Sequence, residues 1–221
     1  RKFYWVSNKS RNESGSTDAE AISTQANQAE LRGHDLYPIL SSYLEQDLAI
    51  YAKRIDEKKS RNNRGLGGNR WLYPDIVGIE NIAEAWDSEI VKAAEIFGAP
   101  RANIYSFEVK LQLTQSNVRE AYFQAVSNSS WANFGYLVAA EVQGDDTATE
   151  LRMLFGLHGI GVIQLNADEP NESQIIIPAR QRSSVDWATC DRLFSENKDF
   201  NDFIIRARGY YQTSRFEPFK S

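Results

Sequence analysis

Residues 104–110 read IYSFEVK, and the fold turns on how that stretch is read. As a strand, its side chains alternate between two faces. Ile104, Ser106, Glu108, Lys110 and, further on, Gln112 share one face; Tyr105, Phe107, Val109, Leu111 and Leu113 share the other. The second face is apolar and is expected to pack into a core. The first projects a glutamate and a lysine side by side. Upstream, residues 71–80 read WLYPDIVGIE, where Asp75 follows Pro74 and interrupts another apolar run. Read as a strand over 71–79, this segment puts Asp75 on a face with Tyr73 and Val77. If the two strands are neighbours, Asp75 and Glu108 converge.

The flanking sequence supplies the other elements of an α/β domain. Leu36, Ile39, Leu40, Tyr43 and Leu44 recur at helical spacing over about 30–47, with Pro38 near the start, where a missing N–H is tolerated. Residues 48–56 read as a first strand, 81–97 as a helix with Ile82, Trp86, Ile90, Ala93 and Ile96 near one stripe, and 103–113 as the third strand. A helix over 115–128 turns Val118, Tyr122, Ala125 and Val126 inward. FGYLVAAEV at 134–142 is apolar enough for a central strand buried on both faces. A helix at 146–156, strands at 160–165 and 175–179, and two short helices within 184–209 complete the order. The expected architecture is a mixed central sheet flanked by helices, with a helical C-terminal segment. Residues 1–28 read as a linker or the remnant of a preceding domain, 29–182 as the main domain, and 183–221 as a helical extension packed on it.

Composition limits the chemistry. A single cysteine, Cys190, rules out an internal disulfide and a cysteine-based metal site, and two histidines are too few for a histidine-rich zinc site. This usage suits a reducing, cytoplasmic setting. Any metal would take mainly oxygen ligands, which favours Mg²⁺, with Mn²⁺ as a substitute. No run is long and apolar enough to suggest a membrane span. The net charge of −5 argues against a chain coated in positive charge, but residues 53–70 hold seven Lys or Arg against two acids. That run is either a solvated loop or a phosphate-contacting surface carrying Arg54, Lys58, Lys59, Arg61, Arg64 and Arg70. Asn128 heads an Asn-x-Ser match, which means little outside a secretory setting. Trp71 is expected in the core, and the polar SNSSWAN stretch at 127–133 is expected to end a helix.

Two carboxylates brought together in a low-dielectric pocket repel unless a cation lies between them. Mg²⁺ suits that place, and a lysine beside it can orient water or stabilise charge on a phosphoryl oxygen. The plainer alternative is a buried ion pair or an edge strand with a wet face, since a lone Glu-x-Lys occurs by chance in many chains. Pro74-Asp75 on a neighbouring strand is what gives the pair weight.

Pro74-Asp75 followed by Glu108-x-Lys110 resembles the signature of the PD-(D/E)xK nuclease superfamily. More closely, the chain resembles the bacterial HrgA-like family, proteins found near restriction–modification genes with an amino-terminal HARE-type winged helix and a nuclease-like remainder. DLYPILSSYL at 35–44, YAKRID at 51–56, WLYPDIVGIE at 71–80, YSFEVK at 105–110, VREAYFQAVSNSSWANFGYLVAAE at 118–141 and GIGVIQLN at 159–166 carry the resemblance over roughly 34–205. It implies a restriction-endonuclease-like fold and a Mg²⁺-dependent DNA endonuclease acting in restriction or phage defence. The alternatives are a catalytically weak DNA-binding domain and an interaction module of a defence system. Asp75 and Glu108 would be metal ligands, the backbone carbonyl of Val109 a third, and Lys110 the catalytic lysine. Gln124 would support them from the next helix, with Glu120 one turn earlier on the same face. Superfamily members often add an acid from the first helix; here Asp35, Glu30 and Glu45 compete. A double-strand cut would favour a homodimer. One feature departs from the pattern: 33 positions separate Asp75 from Glu108, so the segment between the strands must leave and return.

Overall fold

A computed structural model of the chain describes residues 32–61 and 71–213, with side chains as far as Tyr210. Glu30, Arg64, Arg70, the GLGG at 65–68 and the linker reading of 1–28 lie outside the described residues. Six strands, β1 (Ile50–Arg54), β2 (Ile76–Asn81), β3 (Ala102–Leu113), β4 (Phe134–Val142), β5 (Gly161–Gln164) and β6 (Gln174–Ile177), form one sheet in sequential order. β1–β2, β2–β3 and β5–β6 pair antiparallel, whereas β3–β4 and β4–β5 pair parallel. The parallel junctions need crossovers, which α3 (Val118–Ser129) and α4 (Asp145–His158) provide. The fold is α/β: a mixed sheet flanked by helices, with α5 (Trp187–Glu196) and α6 (Lys198–Thr213) near the C-terminus. Among the described residues no helix is long and apolar enough to cross a membrane.

The first helix, α1 (Leu36–Asp47), buries Leu36, Leu40, Tyr43 and Leu44, a spacing that keeps one stripe inward, and Pro38 falls in its first turn. On the face of β3 that holds Ile104, two apolar clusters form. One joins Val77, Ile79 and Ile104 to Leu193, Phe200 and Phe203 of α5 and α6. The other joins Leu137, Ala139 and Val162 to Val118, Ala121, Tyr122 and Ala125 of α3 and to Leu151 and Leu154 of α4. Ser106 and Glu108 lie on β3 between these clusters.

Gly135 lets α3 settle close to the sheet. It pairs with Ser106 across β3–β4, and a Cβ at Gly135 would run into the Ser129 side chain at the end of α3. Any larger residue would lift that end of the helix away from β3.

Several boundaries and faces differ from expectation. β2 begins at Ile76, not at 71, because Pro74 has no N–H for a ladder and Trp71–Leu72 form a turn. Asp75 therefore sits at the mouth of the strand pair: its N–H donates to the Phe107 carbonyl (3.1 Å), and its carbonyl accepts from Ile55 N–H (2.9 Å). The helix expected over 81–97 is only α2 (Ser88–Ile96); the Asn81 side chain closes a turn onto Ala83 N–H, and Asp87 caps the helix at Glu89 N–H. Its apolar stripe faces solvent, with Ile96 83% exposed, since periodicity defines a face without supplying something to cover it. Leu111, assigned to the core face, is exposed where β3 runs beyond β2. Trp71, expected in the core, is 41% exposed because it precedes the strand in a surface turn. The excursion between Asp75 and Glu108 does return: β2, α2 and β3 follow in sequence, and β2 and β3 pair as neighbours.

Candidate active site

The β2–β3 register pairs Ile76 with Phe107, so one step further Asp75 stands opposite Glu108. Directly opposed residues on antiparallel strands present their side chains to the same face. One oxygen of the Asp75 carboxylate accepts the Val109 N–H at 2.7 Å and the other accepts the Tyr37 hydroxyl of α1 at 3.0 Å. The N–H and C=O of a strand residue point to the same side. The Val109 carbonyl is therefore directed, like its N–H, to the Asp75 side of β3.

Glu108 is 2% exposed. Its Oε1 accepts from Lys110 Nζ at 2.7 Å and its Oε2 from Asn128 Nδ2 at 2.9 Å. The lysine, whose side chain is 23% exposed, also donates to Gln124 Oε1 at 3.0 Å. Burial and then the negative charge of Asp75 push the Glu108 carboxyl up to about 7, against the lowering effects of Lys110 and Asn128. For Glu108, the lowering effect of Lys110 is outweighed by burial and the nearby Asp75. Burial and the same two acids, Asp75 before Glu108, hold the Tyr37 hydroxyl well above the usual phenol range. The Arg54 guanidinium lies over the Tyr37 ring, 4.5 Å from its centroid, and opposes that shift.

Asn128 is itself held in place. Its backbone carbonyl accepts from Ser106 Oγ at 3.1 Å and from Trp131 Nε1 at 2.8 Å. Ser106 is on β3 and Trp131 is a buried wedge in the loop after α3. Asn128 is 1% exposed, so the surroundings that aim its amide at Glu108 leave no surface for glycosylation. The 127–133 stretch has the structural role expected of it, with Asn133 Oδ1 accepting the Ile104 N–H.

Asp75, Glu108, Lys110 and Gln124 therefore come together, and Tyr37 and Asn128 join them unforeseen. Asn128 had a readable signal: with Glu120 and Gln124 it continues an i, i+4 series on one face of α3. Tyr37 had none, because 38 positions separate it from Asp75. Glu120 is exposed on the outer side of that face. Of the competing acids, Asp35 immediately precedes α1 in a turn packed against β3, and its carboxylate accepts from Arg32 N–H and pairs with His34. Glu45 is ten residues further along, about 15 Å down the helix, with its carboxylate turned to the Ala52 N–H. It is not placed to join Asp75.

Of the basic stretch, Arg54, Lys58, Lys59 and Arg61 are among the described residues. Lys59 is half-exposed and pairs with Asp199 of α6 at 2.9 Å. Arg61 is tied through its N–H to the Glu196 carbonyl, and Lys58 is exposed in a short turn capped by Asp56. Arg54 is exposed at the end of β1 and stacked on Tyr37, beside Asp75.

Among the described residues no three His, Cys, Asp or Glu side chains cluster as a ready metal cage. Two carboxylates and a carbonyl nonetheless form an all-oxygen set. That fits a small hard cation, which keeps several waters and needs one or two carboxylates rather than a full protein cage. Comparison with protein-family models, with curated proteins and with solved structures gives no match to this chain.

Proposed function

We propose that this chain is a Mg²⁺-dependent endonuclease hydrolysing DNA phosphodiester bonds, a member of the PD-(D/E)xK group and of the HrgA-like family within it. The observation that carries the reading is the approach of Asp75 and Glu108 at one sheet end, with Lys110 bonded to Glu108. Asp75, Glu108 and the Val109 carbonyl would hold the cation. When bound, it would polarise the phosphate and lower the pKa of the attacking water.

The chain's own groups do the rest. An ammonium has three N–H donors. Lys110 spends one on Glu108 and one on Gln124, which leaves a third for a water or a phosphoryl oxygen. Hydrolysis forms a bond from the water oxygen to phosphorus and breaks the ester P–O bond. Lys110 stabilises the developing negative charge as a donor; the attacking water gives its proton to bulk water, and the departing ester oxygen takes one from bulk water. Tyr37 and Asn128 hold the two carboxylates in place from opposite helices. Arg54, with Lys58 and Arg61, would contact the backbone. A cytoplasmic role in restriction or phage defence follows from the same reading, and a homodimer would allow both strands to be cut.

One observation favours the alternative, a DNA-binding domain without turnover. All four carboxylate oxygens of Asp75 and Glu108 already accept hydrogen bonds within the protein. Incubation of supercoiled plasmid with the purified chain, in Mg²⁺ or in EDTA, separates the two readings. Hydrolysis predicts Mg²⁺-dependent nicking that is lost in Lys110→Ala and Asp75→Asn. Salt-sensitive binding without nicking supports the alternative, and equal nicking by all three proteins overturns both roles.

A further inference from the structure

An exposed tryptophan, Trp71, precedes the Asp75 segment and is bonded through its backbone to α3. Trp71 lies four residues before Asp75, at most about 14 Å away along an extended chain. Its backbone carbonyl accepts from Ser127 Oγ at 3.0 Å. Ser127 is the residue of α3 next to Asn128, in the turn that follows Gln124. The residues after Trp71 are fastened inward. Leu72 packs on the cluster beneath α5 and α6, Tyr73 is buried with its hydroxyl bonded to Ser60 and Glu196, and Pro74 is buried. The carbonyl of Trp71 and the residues after it are thus held in place while the indole is left 41% exposed. Among the described residues the other two exposed tryptophans do not share this place: Trp86 lines a groove with Asn81 and Arg101, and Trp187 lines one with Ala102 and Ile104, at the opposite end of the β2–β3 pair.

We infer that Trp71 is a stacking surface for an unpaired nucleobase next to the scissile phosphate, so that the substrate class is single-stranded or locally opened nucleic acid. A base within a duplex has both faces covered by its neighbours and offers an indole nothing to stack on, whereas an unpaired base of any identity has a free π-face. Arg54, spread over the Tyr37 ring on the α1 side of Asp75, supplies a cation for the backbone of the same strand. This rests on the nuclease reading for where the phosphate lies, but its test reads binding without metal and so fails separately.

Binding of a short fluorescent oligo(dT), an oligo(U) and a hairpin duplex is measured in EDTA for the wild type, Trp71→Ala, Trp71→Phe and Trp187→Ala, with thermal melts confirming that each folds. Trp71→Ala is expected to weaken oligo(dT) binding at least about fivefold while changing duplex binding less than about twofold. Phe at 71 is expected to recover most of the loss, and Trp187→Ala to bind as wild type. A parallel loss for oligo(U) makes unpaired bases of either nucleic acid the ligand; retention of oligo(U) binding confines the role to DNA. Equal losses for single strand and duplex, no loss in Trp71→Ala, or no single-strand binding by the wild type would overturn the inference. Mg²⁺-dependent plasmid nicking would then still stand or fall on Lys110 and Asp75. Trp71-dependent binding with no nicking would keep the inference and sink hydrolysis.

Discussion

Two glutamates on the β2–β3 pair sit in contrasting company. Glu80, near the Asn81 end, accepts from the Tyr105 hydroxyl at 2.6 Å and from Asn103 Nδ2 at 3.0 Å, and Gln181 in turn donates to Asn103. These partners are neutral donors, and both bond the same oxygen, Oε2. Glu108, toward the other end, is more deeply buried, faces a second carboxylate and shares one lysine with a glutamine. A group that is buried, hydrogen-bonded and still pushed up to about 7 is short of positive charge. The contrast teaches that counting hydrogen bonds does not separate a structural acid from a functional one. Each accepts two printed side-chain hydrogen bonds, and only Glu108 is buried against a second carboxylate.

Cleavage should break the symmetry most strongly. Lys110→Ala and Asp75→Asn are expected to lower Mg²⁺-dependent nicking by at least about a hundredfold, the scale of a lost general acid–base or charge-stabilising group. Glu80→Gln is expected to stay within about twofold of wild type, measured under the same conditions. Comparable losses at Glu80 would erase the distinction.

Stability should move in opposite directions at the two sites. For Glu108 the folded value of about 7 lies above the ordinary 4.5, so the folded chain binds its proton more tightly than the unfolded chain does. Its contribution is therefore most favourable below about 4.5 and is lost as pH rises to about 7. Without metal, Glu108→Gln is expected to stabilise the fold at pH 8 by about 3 kcal/mol and to flatten the pH dependence across that window. Glu80→Gln is expected to cost about 1–2 kcal/mol, through weaker bonds from Tyr105 and Asn103. Urea denaturation in EDTA across the pH range reads both. A stabilising Glu80→Gln or a destabilising Glu108→Gln would reverse the assignment.

Smaller effects sharpen the geometry. Asn128→Ala removes a donor from a buried, partly ionised carboxylate and leaves a cavity, and is expected to cost about 2 kcal/mol in the same unfolding experiment. Tyr37→Phe deletes one half-buried hydroxyl and is expected to cost about 1 kcal/mol. Its nicking rate should fall several-fold, since Asp75 would keep only the Val109 N–H to fix its orientation.

Period-two alternation was enough to place Ser106, Glu108 and Lys110 on one face of β3, and the apolar run at 134–142 matches β4 end to end. The family resemblance led to Gln124, and helical spacing on α3 would have led one turn further to Asn128. Tyr37 was not legible, because its bond to Asp75 is made by tertiary packing of α1 over a sheet end and leaves no local pattern. The exposed stripe of α2 and the exposed ring of Trp71 were misread for a related reason. Apolar side chains mark what a chain is able to bury, and the burial itself depends on which elements arrive to cover them. The ion pair of Lys59 was equally a matter of the fold, since Asp199 lies 140 positions away.

The claim that Asp75 and Glu108 form a cation site is most directly tested by thermal melting with added Mn²⁺ or Mg²⁺. The wild type should melt at rising temperature with increasing metal, by about 2.7 kcal/mol of stabilisation at a hundredfold excess over the dissociation constant. Glu108→Gln and Asp75→Asn should not respond, while Glu80→Gln should respond as wild type. A wild-type melting temperature indifferent to metal, or an equal rise in the two site variants, would contradict the account.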